Sequence, residues 1–124
     1  YKHYHPKKLS DQGLIELIKM NEKIIYTLTN EKTNLFAPPY GEVDKRITSI
    51  AESIGYNTIM WSADTVDWKR PSPEIIVQRA VQKSKDGAII LMHPTAPSLA
   101  ALEEIIDKIH EKGYDFVKVS ELIK

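Results

Sequence analysis

Cysteine is absent from the 124 residues, which excludes disulfide staples, thiolate metal sites and thiol nucleophiles. Any metal would have to be held by histidine and carboxylate. An excess of one charge is absent as well, since 17 Lys and Arg balance 17 Asp and Glu. A neutral chain with no block of like charge carries no electrostatic footprint for a phosphate backbone or an anionic lipid surface, so neither nucleic acid nor a membrane surface is expected as a partner. No apolar run approaches the roughly 20 residues of a membrane span, and no span is expected. Glycine-rich linkers, repeats and low-complexity tracts are also missing, which leaves a single domain over residues 1–124 as the expectation. The chain opens Tyr1-Lys2-His3 rather than with Met and a basic-then-apolar leader, so the polypeptide is expected to extend upstream.

What is present is an ordinary globular mixture, 42% apolar and 27% charged, arranged as an alternation of helix-period and strand-like segments. Ser10 predicts the cap of a helix with Leu14, Ile15, Leu17, Ile18, Ile24, Ile25 and Leu28 on one face. A short strand at residues 34–37 is stopped by Pro38-Pro39. The next helix carries Val43, Ile47, Ile50, Ala51 and Ile54, and Gly55 suits its left-handed end. A strand is predicted over residues 57–63, with Trp61 in the core. Ser72-Pro73 predicts a helix through Ile75, Ile76, Val77, Ala80 and Val81. The run at residues 88–92 predicts a strand buried on both faces. Ser98 predicts the start of a last long helix with Leu99, Leu102, Ile105, Ile106 and Ile109 inward. A strand at residues 116–119 and a short helix from Ser120 close the chain. Strands separated by helices imply a parallel sheet, in which chemistry collects beyond the carboxyl ends of the strands. Since a full (β/α) barrel takes roughly 250 residues, the chain is expected to be either a small open α/β sheet or part of a barrel.

Four motifs sit at such strand ends. His3-Tyr4-His5-Pro6 offers two imidazoles, the commonest metal ligands, although paired histidines in this setting also occur as plain exposed polar residues. Phe36-Ala37-Pro38-Pro39-Tyr40-Gly41 is a stiff turn whose next free amide, that of Tyr40, has a fixed direction, as an oxyanion donor requires. Asp64-Thr65-Val66-Asp67-Trp68 places two carboxylates and an indole after a strand, fit to orient a proton-transfer group and to offer an apolar platform to a sugar ring. The bland alternative is an Asx turn followed by a half-buried Trp. Leu91-Met92-His93-Pro94 delivers one histidine to the sheet edge, where it is either a satisfied core residue or a proton donor and acceptor whose tautomer Asp64 or Asp67 fixes.

Taken together and in this order, the four motifs resemble those of the NodB-homology polysaccharide deacetylases, carbohydrate esterases that remove acetyl from N-acetylated sugars with a divalent metal. The forms Phe36-Ala37-Pro38-Pro39, Val66-Asp67-Trp68 and Leu91-Met92-His93-Pro94-Thr95 are most similar to the deacetylase-like proteins of spore-forming bacteria. The resemblance covers residues 1–124 and implies the carboxyl-terminal portion of a distorted, TIM-like (β/α) deacetylase barrel. It implies Zn2+ or another divalent metal as cofactor, with His3 or His5 as ligand. His93 is then the acid that protonates the leaving amine, tuned by Asp64 or Asp67, and the Tyr40 amide faces the oxyanion. Trp68, Pro39 and Leu91 line the site of an N-acetylated cell-wall polysaccharide, peptidoglycan or a relative of it. The implied location is extracellular or at the cell wall, and the implied companion is an amino-terminal half of the same domain.

Two departures from the family pattern carry weight. The family's first motif, a Thr-Phe-Asp-Asp-type segment that supplies the catalytic base and the metal carboxylate, has no counterpart in these residues. The third motif usually begins with Arg, which pairs with that base, and this sequence has Ala37 there. Loss of the cation lets the base's pKa rise and its aim loosen. A catalytically silent glycan-binding or structural spore protein that kept the groove is therefore the rival expectation, alongside a small open-sheet protein with no site.

Overall fold

The computed structural model describes residues 3–123. The chain divides into two compact units, Tyr1–Met60 and Trp61–Lys124.

In the first unit, α1 (Asp11–Thr29) begins at Ser10, whose hydroxyl accepts from the Gly13 N–H at 3.1 Å. Strand β1 (Leu35–Phe36) runs into the Pro38-Pro39 turn, helix α2 (Lys45–Ser53) follows, and β2 (Asn57–Thr58) pairs parallel with β1. Asp44 caps α2 through the Ile47 N–H at 2.9 Å. Gly55 leaves the helix at φ +83°, a conformation that costs a residue with a Cβ about 1–2 kcal/mol. Leu14, Leu17 and Ile18 of α1 meet Ile47 and Ala51 of α2 over Phe36 and Tyr56. Only the first half of the predicted α1 face is buried. Ile24, Ile25 and Leu28 are exposed, and none of them belongs to the packed cluster around Ile47.

The second unit contains β3 (Ala63–Asp64), α3 (Pro73–Lys83), β4 (Ile90–Leu91), α4 (Ala96–Glu111) and α5 (Val119–Leu122), with β3 and β4 parallel and Asp64 opposite Leu91. Ile76, Val77 and Ala80 of α3 interlock with Ala101, Ile105 and Ile109 of α4, and Ile90, Met92 and Tyr114 pack against them. The fold is thus α/β with parallel pairing, as expected for a portion of a larger barrel.

Five local expectations need correction. The strand predicted over residues 57–63 is two short strands, because its backbone partners change: Ile59 N–H donates to Phe36 O, whereas Ser62 and Ala63 donate to Ile89 O. Trp61 is half-buried rather than core. Residues 88–92 are half-buried as well, since α3 and α4 cover the face that carries Ile90 and Met92. Helix α4 starts from Thr95, not Ser98, and its buried stripe is Ser98, Ala101, Ile105 and Ile109, which leaves Leu99 and Leu102 exposed. Residues 116–118 form no strand, since no neighbouring backbone among the described residues offers them a ladder.

This reassigned stripe is directly testable. Ile105→Ala should cost about 2–5 kcal/mol of stability, the range for a buried branched residue, whereas Leu99→Ala should stay within about 0.5 kcal/mol as an exposed substitution does. Urea denaturation measures both, and a larger loss at Leu99 would restore the sequence-based face.

Candidate active site

The second unit builds its polar centre on a carboxylate. Asp67 follows β3 in a single 3-10 turn, Asp67–Lys69, and its residue is wholly buried. Oδ1 accepts from His93 Nδ1 at 2.7 Å. Oδ2 accepts from the His93 backbone N–H at 2.6 Å and from Ser98 Oγ at 2.6 Å. Burial is the largest single influence on the Asp67 carboxyl and pushes its pKa up, yet the bonds from the His93 amide, Ser98 and the His93 ring together hold it below the ordinary value. An ionised carboxylate only accepts, so His93 must carry its Nδ1 proton toward Asp67. Nε2 is then the ring nitrogen left for other chemistry, and His93 remains partly exposed.

The loop that holds Asp67 is braced along its length. Asp64 accepts the Val66 N–H at 2.8 Å, the Asx turn of the bland reading. Thr65 donates its hydroxyl to Leu91 O at 2.9 Å across the strand pair. From α3, Arg79 donates to Thr65 O at 3.0 Å and Lys83 to Asp64 O at 2.8 Å. These contacts hold Val66 at φ +54°, ψ 30°, a region unfavourable for a β-branched residue. Strain beside a buried carboxylate with three donors marks a loop whose conformation is imposed by its surroundings. Trp68, the next residue, is 57% exposed, with Lys69 Nζ 5.0 Å from its ring centre. Leu91 sits half-buried in β4.

The first unit gathers a different set. Pro38 is buried and Pro39 half-buried, and the turn they open puts Tyr40 at φ +58°. The Tyr40 ring stacks on His5 at 4.1 Å and 7° and meets His3 edge-on at 4.6 Å and 73°. Its hydroxyl donates to His3 O at 3.2 Å. His5 Nδ1 bonds Glu42 Oε1 at 2.8 Å, and this His5 bond leads the causes that lower the Glu42 carboxyl pKa. A carboxylate behind one nitrogen of an imidazole fixes the ring and leaves the other nitrogen to bind, the usual arrangement around a metal-bound histidine. The described residues contain no cluster of three or more such ligands. Ala37 is exposed and contributes no charge.

Three members of these groups escaped sequence reasoning. Glu42 lies 37 residues from His5 and carries no local signal. Ser98 was legible only as a helix-start residue, and Thr95 only as part of the His-Pro-Thr run.

Comparison with known proteins gives the geometry a family. A model of the polysaccharide deacetylase family matches residues 1–59. A crystal structure of a CE4 family pseudoenzyme from Bacillus anthracis superposes with a TM-score of 0.93 at 39% identity, covering all of this chain and 44% of that one. The chain belongs to the polysaccharide deacetylase family. It is 40% identical to the uncharacterized protein YlxY of Bacillus subtilis over 99% of its own length and 39% of that protein's. It is 36% identical to the peptidoglycan-N-acetylglucosamine deacetylase PgdA of Listeria monocytogenes, over 95% of its own length and 25% of that enzyme's. The chain therefore spans well under half of these relatives.

The lowered Asp67 pKa fixes the sign of an acid effect. A carboxyl that binds its proton less readily when folded contributes stability fully above the ordinary carboxylate range, and that contribution is lost as pH falls through the native pKa. The stability difference between the native sequence and Asp67→Asn should accordingly be largest near pH 7 and shrink below about pH 4. Denaturation curves taken across that range decide it, and a difference independent of pH would show that Asp67 is not held ionised.

Proposed function

We propose that the domain to which this chain contributes, as its carboxyl-terminal part over residues 1–124, removes N-acetyl groups from amino sugars of peptidoglycan or a related cell-wall polysaccharide. The observation that carries the reading is the Asp67–His93 pair, a buried ionised carboxylate aimed at Nδ1 of a partly exposed imidazole. Such a pair stabilises the imidazolium while leaving the Nε2 proton available, which is what protonation of a leaving amine demands. The likeness to PgdA supports the substrate class, and a wall-directed substrate places the reaction outside the cell membrane.

In this reading His93 is the general acid and Asp67 holds its tautomer, while Asp64 shapes the loop through Val66. Trp68 presents an apolar face to a sugar ring, and Leu91 shapes the acetyl pocket. In the first unit, the Tyr40 amide engages no acceptor among the described residues and is free to donate to a developing oxyanion, on a turn stiffened by Pro39. His3 or His5 supplies an imidazole to Zn2+ or another divalent ion. The carboxylate-backed ring of His5 suits that task, and further ligands come from outside the described residues. When bound, the ion would polarise the acetamide carbonyl and lower the pKa of a water.

A specific observation favours a second reading. Ala37 stands where the family pattern has Arg, and the chain is similar to a protein described as a pseudoenzyme, so a silent glycan-binding or spore-structural role is the alternative. Acetate release from N-acetylglucosamine oligomers and peptidoglycan, measured with the full-length protein after chelation and after Zn2+ addition, separates the two. The deacetylase reading expects metal-dependent release that His93→Ala lowers by about 10²–10⁴-fold at unchanged metal content. No release from folded, metal-loaded protein establishes the silent reading, and loss of metal in His93→Ala removes His93 from the acid role.

A further inference from the structure

The second oxygen of Asp67 is taken up by a device at the start of α4 that the reaction does not itself require. Ser98 is buried, and its Oγ lies 2.6 Å from Asp67 Oδ2 and 2.7 Å from Thr95 Oγ1. Because the ionised carboxylate can only accept, the Ser98 hydroxyl proton points to Asp67. A hydroxyl has one proton, so Thr95 must donate to Ser98 Oγ in turn. Thr95 also caps the helix by accepting the Ser98 N–H at 3.3 Å, and its own N–H donates to His93 O at 2.8 Å. The directions are therefore fixed from Thr95 to Ser98 to Asp67, and the residue that closes the turn back onto His93 is Thr95 itself.

We propose that Ser98 is a positioning residue for His93, locking the rotation of the Asp67 carboxylate so that Oδ1 stays on the His93 ring nitrogen. The χ2 torsion of Asp is broad and nearly two-fold, so a carboxylate bonded only to the amide and ring of His93 has no anchor on a second element and can swing with that residue. Ser98 supplies that anchor from α4, its hydroxyl joining the His93 amide on Oδ2. With both donors on Oδ2, the plane of the carboxylate is set and Oδ1 faces Nδ1. Asp67 is the ionisable group bonded to the His93 ring among the described residues. Removal of Oγ from Ser98 leaves the Thr95 cap intact, since that cap uses the Ser98 backbone N–H. The catalytic consequence rests on the general-acid reading of His93, whereas the positioning itself does not.

Two measurements on the full-length protein separate these layers. In ¹⁵N-resolved NMR of the histidine rings, with His93→Gln assigning the resonance, His93 is expected as the Nδ1–H tautomer with a protected Nδ1 proton. Ser98→Ala should expose that proton to exchange and raise the Nε2–H tautomer, and Ser98→Thr, which keeps the hydroxyl, should restore the native signals. In acetate release, Ser98→Ala should lower kcat about tenfold with KM within about twofold, the pattern of a misaimed rather than an unbound catalyst. Ser98→Cys, close in volume and a weak donor, replaces the alanine variant if that one does not fold. Unchanged ring signals in a folded Ser98→Ala or Ser98→Cys protein overturn the proposal whatever the turnover. Failure of Ser98→Thr to restore the signals overturns it too, by making the effect one of packing. If the native protein releases no acetate, the deacetylase reading falls while the ring signals still decide the role of Ser98.

Discussion

A carboxylate with no exposed surface is costly to bury unless its oxygens find donors, and the second unit is organised around meeting that demand at Asp67. The donors come from the His93 backbone, the His93 ring and Ser98, so the loop after β3, the end of β4 and the first turn of α4 converge on one residue. The hydrophobic interlock of α3 with α4 holds the helices in place, but it is indifferent to rotation of a side chain. The hydrogen bonds supply direction, and this division between apolar packing for stability and polar bonds for aim accounts for the arrangement of the unit.

The loop that carries Asp67 shows what the aim requires. A β-branched residue in the left-handed region is unfavourable, and Val66 adopts it where Asp64 holds its amide and Lys83 and Arg79 hold the Asp64 and Thr65 carbonyls before it. Lys83 and Arg79 lie on α3, so the helix that packs on α4 also fixes the loop that bonds α4. Strain at Val66 and the three bonds to Asp67 are thus parts of one construction. Tyr40 repeats the pattern in the first unit, where a left-handed residue after two prolines places its ring between two histidines.

The legible part of this design was its linear order. Caps at Ser10, the proline stop at residues 38 and 39, and the histidine after β4 are encoded within a few residues of where they act. Helical stripes were less faithful, because periodicity reports which face is apolar and not whether anything covers it. For α1 that left Ile24, Ile25 and Leu28 exposed, and in α4 the presence of Ser98 in the buried stripe moved the face away from Leu99. The choice between Asp64 and Asp67 could not be read locally, since both follow the same strand, and it turns on which one the 3-10 turn points at His93. The pairings of Glu42 and Ser98 were invisible for a simpler reason: their partners are 37 and 31 residues away.

That the Asp67 network ties three chain segments together bears on how a deacetylase-like protein falls silent. Ala37 lies in the first unit and removes a cation expected beside the catalytic base, a change that touches none of the bonds around Asp67. A loss of activity caused at Ala37 would therefore leave the Asp67 network unchanged. The Asp67–His93–Ser98 network, by contrast, cannot be lost cheaply, because stripping His93 of its ring or Ser98 of its hydroxyl leaves a buried charge short of a donor. A silent descendant would keep an aimed histidine for the sake of its fold. An aimed histidine here thus records structural necessity as much as chemistry.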